Sequence, residues 1–300
     1  MVKRKRYLVI AATAGALGLS AFVWGSAHQA KQLTSAFRRP VPSLADSTLT
    51  QAESVTFPSL DGLSLSGWWL PSPDSKTTVI LLHGHGSNRR QMIARAKLLH
   101  RHGYSVLLYD ARGHGESAGD LVSFGFHESN DLLGAMDFAR SKGSNKFGLI
   151  GASQGGATIA LTGDRLKDVN WVVLESVYSD LRTAVDRRCR YHAHLPGWLL
   201  GCLMIPFAES KVGASINQIS PRAMVEKISA PVFVLSGNRD RHTLTEDTQS
   251  LFGAVHSPKT LWLVEGAGHV DLYGFAKERY EERLLAFIAS ARTPETPATK

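Results

Sequence analysis

Cysteine is nearly absent: Cys189 and Cys202 are the only two in 300 residues. So few thiols exclude a disulfide-stapled scaffold. They leave one pairing to weigh, Cys189 with Cys202 in an oxidising compartment, against two free side chains. Proline is sparse at 12 residues and the 27 glycines follow no period, which excludes collagen-like and mucin-like chains. Acidic side chains are missing from one end: residues 1–50 hold a single acid, Asp46, against seven basic residues. The other 250 residues hold 27 basic and 25 acidic side chains, so the formal charge of +8 belongs to the N-terminus. A body this close to neutral lacks the broad basic face that a nucleic-acid partner requires. What is present, 43% hydrophobic and 20% charged residues, describes one ordinary globular domain with room for a small insertion.

The N-terminus reads separately. Lys3, Arg4, Lys5 and Arg6 precede 21 residues, Tyr7 to Ala27, without a charged side chain. At ~1.5 Å per residue a helix of that length matches the ~30 Å hydrocarbon layer. It exceeds the apolar region of a secretory signal, although Gly25-Ser26-Ala27 offers small residues for cleavage. The expectation is a transmembrane anchor or signal sequence over residues 1–30, a polar linker over 31–52 and a frayed tail over 293–300. With the basic cluster on the cytoplasmic side, the body lies across the membrane, periplasmic or extracellular, or is secreted after cleavage.

From Glu53 the pattern changes. ESVTFPS and LSLSGWWL flank Asp61-Gly62, a hairpin turn signal. Near-continuous apolar runs follow at 77–84, 104–110, 146–153, 169–176, 231–237 and 260–266, with helix-period segments at 89–102, 127–141, 154–164, 245–255 and 272–290. Strands buried on both faces of a parallel sheet read this way. The alternation predicts an α/β fold over 53–292: a mostly parallel central sheet flanked by helices, with binding at the strand carboxyl ends. The interval 177–230 is longer than a crossover needs and predicts a small helical cap over those ends. Its Arg182, Arg187, Arg188 and Arg190 are candidates for an anionic head group. Its Trp198, Leu199, Leu200, Leu203, Met204 and Phe207 are candidates for an acyl pocket or a bilayer contact. The plain alternative is a solvated basic face above a packed helix.

The chemistry centres on Gly151-Ala152-Ser153-Gln154-Gly155-Gly156, which follows an apolar strand and opens a helix. A nucleophilic serine on a tight strand-to-helix turn needs glycine two residues before and after it, here Gly151 and Gly155. The hydroxyl needs a base and the base needs an orienter. His269, in Gly-Ala-Gly-His after the last strand, and Asp240, in Gly-Asn-Arg-Asp after the preceding one, supply them in the order Ser, acid, His. Glu175, ending its own strand, competes with Asp240 for the role of acid. Oxyanion donors are expected from the backbone N–H of Gln154 and of His85 in His83-Gly84-His85-Gly86. His-x-His on a glycine loop is poor zinc spacing, so no metal is expected.

These segments, with YDARGHGES at 109–117, resemble the α/β-hydrolase superfamily from about Glu53 to Ser290. Within it the DGL-x-L opening and the D-x-R-G-x-G-x-S turn look most similar to membrane-anchored serine hydrolases of the prolyl-oligopeptidase-like type. The resemblance implies Ser153 as nucleophile, His269 as base and then acid, Asp240 as orienter, the His85 and Gln154 amides as oxyanion hole, and no cofactor. It also implies that Asp110, Arg112, His114 and Glu116 build a structural turn, not a second catalytic cluster. The expected activity is hydrolysis of carboxylic esters, with lipid-like or thioester substrates as further candidates. Peptide cleavage, acyl transfer and a non-enzymatic scaffold are the alternatives. Serine in place of aspartate at the elbow disfavours dehalogenation.

Overall fold

The structure, a computed structural model, describes residues 2–44, 49–194 and 197–292. It opens with helix α1 (Val2–Thr34), followed by strands β1 (Glu53–Pro58), β2 (Ser64–Leu70) and β3 (Thr77–Leu82). Then come α2 (Ile93–Arg101), β4 (Ser105–Tyr109), α3 (Glu128–Ser141), β5 (Lys146–Ala152), α4 (Gln154–Thr162) and β6 (Val169–Glu175). The cap follows as α5 (Leu181–Ala193), α6 (Gly197–Val212) and α7 (Pro221–Val225). The chain closes with β7 (Val232–Gly237), α8 (Thr245–Gly253), β8 (Lys259–Val264), α9 (Leu272–Phe275) and α10 (Lys277–Arg292).

All eight strands form one sheet in the order β1-β2-β4-β3-β5-β6-β7-β8. The β1/β2 and β2/β4 pairs are antiparallel and the others parallel. The β-branched and leucine-rich runs suit a strand with apolar cover on both sides, and every residue of β4 is buried. Alternation along each strand divides the core. Ile80, Leu107, Leu149 and Val172 face α3, α4 and the cap, while Val79, Leu108, Ile150 and Val173 face α2 and α10.

Register fixes where chemistry can occur. Leu82 pairs with Gly151, Ala152 with Glu175, Glu175 with Leu235 and Gly237 with Val264. The residues that follow β3, β5, β7 and β8 therefore emerge along one end of the sheet. The cap begins just beyond β6, where Asp180 caps α5 through the Thr183 N–H at 2.8 Å. Asp186 accepts the Gly197 N–H at 2.6 Å, tying the start of α6 to the middle of α5.

The N-terminal segment departs from expectation. It is helical, yet among the described residues no helix is long and apolar enough to cross a membrane, and the expected transmembrane helix is not found. Helix α1 also continues past Ala27 and docks. Ser26, Ala30 and Thr34 are buried, and Ala30, Leu33 and Thr34 share an apolar pocket with Met204, Ile205 and Ala208 of α6. The segment read as a linker is partly ordered. Ser35 and Phe37 form bridges to Leu121 and His114, and Arg38 Nη1 donates to the Ser117 carbonyl at 2.6 Å. Cys189 and Cys202 are both free thiols. The tail read at 293–300 lies outside the described residues.

Candidate active site

Ser153 joins β5 to α4 at φ 50°, ψ −112°. This is a conformation that L side chains avoid, held by what surrounds it. The surroundings explain the glycines. A Cβ on Gly151 would lie 2.4 Å from the Gly155 carbonyl carbon, and one on Gly155 would lie 2.4 Å from the Leu82 oxygen. Both positions need glycine for close approach, since the turn presses α4 against the ends of β3 and β5.

Asp240 and His269 meet. The His269 Nδ1–H donates to Asp240 Oδ2 at 2.7 Å, while Oδ1 accepts the His242 and Thr243 amides at 2.8 and 2.9 Å. Burial opposes ionisation of Asp240. The His269 hydrogen bond and charge, with those two amides, outweigh it and hold the carboxyl below its ordinary pKa. The bond to Nδ1 leaves His269 Nε2 as the free acceptor, the form a general base needs. Among the described residues the Ser153 hydroxyl makes no hydrogen bond; contacts of this kind commonly tighten only once substrate is bound.

Glu175, the competing acid, is committed elsewhere. Its carboxylate receives Arg95 Nε and Nη2 at 2.8 and 2.5 Å, and the Tyr280 hydroxyl also donates to it. Arg95 also pairs with Asp271 at 2.9 Å. This buried cluster pins α2 and α10 to the sheet from its second face and leaves Glu175 nothing to offer a histidine.

The loop after β3 lies against the elbow: a Cβ on Gly84 would sit 3.6 Å from the Ser153 Cβ. Neither the His85 nor the Gln154 backbone N–H meets an acceptor among the described residues, as oxyanion donors require. The flanking amides are engaged, Gly84 N–H to Gln91 Oε1 at 2.8 Å and Gly86 N–H to His114 Nε2 at 3.1 Å.

Residues 73–205 match the family profile described as "Serine aminopeptidase, S33". The Bacillus subtilis protein YqkD, described only as uncharacterized, is 27% identical over 244 residues, 79% of this chain and 80% of its own. Rv2307c of Mycobacterium tuberculosis, described in the same way, is 28% identical over 278 residues, 90% of each chain. The esterase Pf2001 of Pyrococcus furiosus has the same fold, with a TM-score of 0.71 and 27% identity over 85% of this chain and 98% of its own. The chain belongs to the α/β-hydrolase superfamily.

In this α/β-hydrolase a side-chain network absent from the sequence reading steadies the loop after β3. His85 Nδ1–H donates to Gln154 Oε1 at 2.9 Å, and Gln154 Nε2 donates to Glu128 Oε1 at 3.2 Å. Glu128 also accepts the Ser123 and Gly125 amides, both at 2.8 Å. An acid at the start of a helix was the one available signal, and it is too common to single out. His83 and His114 are structural too. The Ala111 N–H donates to His83 Nε2, whose Nδ1–H donates to the Gly84 carbonyl. The Gly86 amide donates to His114 Nε2, whose Nδ1–H donates to the Arg112 carbonyl. With both ring nitrogens of each committed, neither is available to a metal. Burial pulls His83 down to about 4 and His114 to about 3, so both rings are neutral.

The other charged residues of YDARGHGES also serve structure. Asp110 accepts the Arg89 and Glu116 amides and pairs with the Arg89 guanidinium at 3.1 Å, while Glu116 meets Arg89 as well. Arg112 bridges Asp61 and Asp131, at 2.7 Å each. Of the cap's apolar candidates, Met204 lines the pocket shared with α1, while Trp198, Leu199 and Phe207 are exposed.

Proposed function

We propose that this α/β-hydrolase is a serine hydrolase of carboxylic esters working through an acyl-enzyme. The observation that carries the reading is the Asp240–His269 hydrogen bond at the same sheet end as the strained Ser153 turn. Ser153 Oγ adds to the ester carbonyl carbon as its proton passes to His269 Nε2. The carbonyl electron pair moves onto oxygen, held by the His85 and Gln154 amides. Collapse breaks the C–O bond to the alcohol, which takes the proton from His269. Water then repeats the sequence on the acyl-enzyme, releasing the carboxylic acid and restoring Ser153.

Ester cleavage is favoured by the likeness to a solved esterase over most of the chain. The test is a series of p-nitrophenyl esters with Ser153→Ala, expected to lower turnover on the order of 10⁴-fold or more. A fluorophosphonate probe should label Ser153; labelling at another residue, or turnover surviving the substitution, overturns the assignment. Peptide cleavage by the same residues is the second reading, favoured by the aminopeptidase description of the matching profile. Turnover of aminoacyl anilides without turnover of acyl esters would select it.

A further inference from the structure

The four arginines of α5 separate in the structure. Arg182 Nε donates to Asn217 Oδ1 at 3.1 Å, Arg187 Nη2 to Asp247 Oδ1 at 2.9 Å, and Arg190 Nε to Asp186 Oδ2 at 2.6 Å. Arg188 meets no carboxylate among the described residues. Its hydrogen bond there runs from Nη1 to the Ala184 carbonyl of its own helix, at 3.2 Å. A guanidinium carries five donors in a planar fork, and most of this fork is unused.

Its direction follows from helix geometry. At 3.6 residues per turn, Leu181, Ala184, Arg188 and Tyr191 share one face of α5, while Arg182, Asp186 and Arg190 lie on the other. The first face meets the site. Leu181 and Ala184 are buried. The Tyr191 ring lies 5.5 Å from that of His242, which lies 5.1 Å from that of His269. Beneath, the Tyr178 hydroxyl donates to the Phe124 carbonyl at 2.5 Å, and Phe124 stacks on His85. Arg188 therefore stands between the base on one side and the oxyanion loop on the other. Electrostatics agree. Burial pulls its pKa down, Tyr178 and the Asp240 carboxylate push it back up, and its charge helps depress His85. Asp240 does not neutralise it, because both of its oxygens are occupied by His269, His242 and Thr243.

We propose that Arg188 is the specificity determinant of the active site and that the enzyme prefers esters bearing a carboxylate a few bonds from the scissile carbonyl. This rests on the serine-hydrolase reading. A half-buried guanidinium without a counter-ion is costly to hold, and a substrate carboxylate meeting its fork removes that cost through charge-assisted, two-pronged hydrogen bonds.

The experiment compares two ester pairs on the full chain. Mono-4-nitrophenyl glutarate against 4-nitrophenyl valerate places the charge on the acyl side; 4-acetoxybenzoate against 4-methylphenyl acetate places it on the alcohol side. The expected result is a higher kcat/KM for the anionic partner of at least one pair. Arg188→Gln should remove that preference, about tenfold or more, chiefly through KM, and leave the neutral esters within about threefold. Arg188→Lys should keep part of it, and Arg182→Gln, on the opposite face, all of it. Equal loss on both partners in Arg188→Gln, or no charge preference in the wild type, overturns the proposal. Fluorophosphonate labelling of Ser153 in every variant keeps the two readings apart. Labelling and turnover of neutral esters without a charge preference sink the Arg188 proposal alone. A wild type that is unlabelled and inert towards all four esters sinks the serine-hydrolase reading and takes this proposal with it.

Discussion

Replacing Ser153 by glycine should make the protein more stable while removing its activity. The serine sits at φ 50°, ψ −112°, a conformation worth roughly 1–3 kcal/mol of strain in a residue with a Cβ. Glycine relieves that strain but gains freedom in the unfolded chain, at a cost of about 0.5–1 kcal/mol. The hydroxyl makes no hydrogen bond among the described residues, so its removal forfeits none. The balance is a gain of about 1 kcal/mol, or roughly 2–4 °C in Tm for a domain of this size. Ser153→Ala is the control: it is equally inactive but keeps the Cβ and the strain, so its shift should stay within about 0.5 kcal/mol of zero. Urea denaturation of the three proteins reads the difference directly. If Ser153→Gly is no more stable than Ser153→Ala, the elbow stores no strain and the reasoning from its dihedral angles is refuted.

Further outcomes follow from the same site and its supports. Asp240→Asn should lower kcat on the order of 10⁴-fold, by letting His269 adopt the wrong tautomer, with the circular dichroism spectrum unchanged. Glu175→Gln should do the reverse, costing stability by about 3 kcal/mol because buried Arg95 keeps only the half-exposed Asp271 as counter-charge, while turnover per folded molecule, scaled by active-site titration, persists. His83 and His114 are neutral in the fold and ordinary when unfolded, so the unfolded chain binds more protons below pH ~6.5. The two rings should therefore pull stability down by about 2 kcal/mol per pH unit as the pH falls from 6 to 5, opposed in part by Asp131, whose carboxyl burial raises to about 7. A flat unfolding free energy across that interval would contradict their buried, neutral state. Two thiols per chain should react with Ellman's reagent under denaturing, non-reducing conditions; a count of zero would mean that Cys189 and Cys202 pair.

Much of the sheet was legible because its strands are buried on both faces. Runs such as Val79 to Leu82 and Trp171 to Leu174 have no polar face to confuse the reading. The elbow was legible because sterics at Gly151 and Gly155 leave no other residue possible. Choosing between Asp240 and Glu175 was harder, since both lie at strand carboxyl ends and differ only in partners remote in sequence: Arg95 lies 80 residues from Glu175. The same distance hid the Glu128–Gln154–His85 network and the isolation of Arg188, whose three neighbouring arginines look alike until Asn217, Asp247 and Asp186 are in place. The docking of the N-terminal helix was not legible, because nothing in its sequence names α6 as its partner. Its last turns are matched in shape to α6, where Ala30 and Thr34 present little bulk.

β8 has a further consequence. It is an outer strand of the sheet, bonded on one side only to β7, and Lys259 and Thr260 at its start are exposed. Yet it delivers the loop that holds His269, so His269 hangs from an edge strand while Ser153 is bedded in the centre. Fraying of an outer strand needs far less free energy than dismantling the whole. The enzyme should then fall silent in two stages, with ester turnover lost at a denaturant concentration where circular dichroism still records an intact sheet.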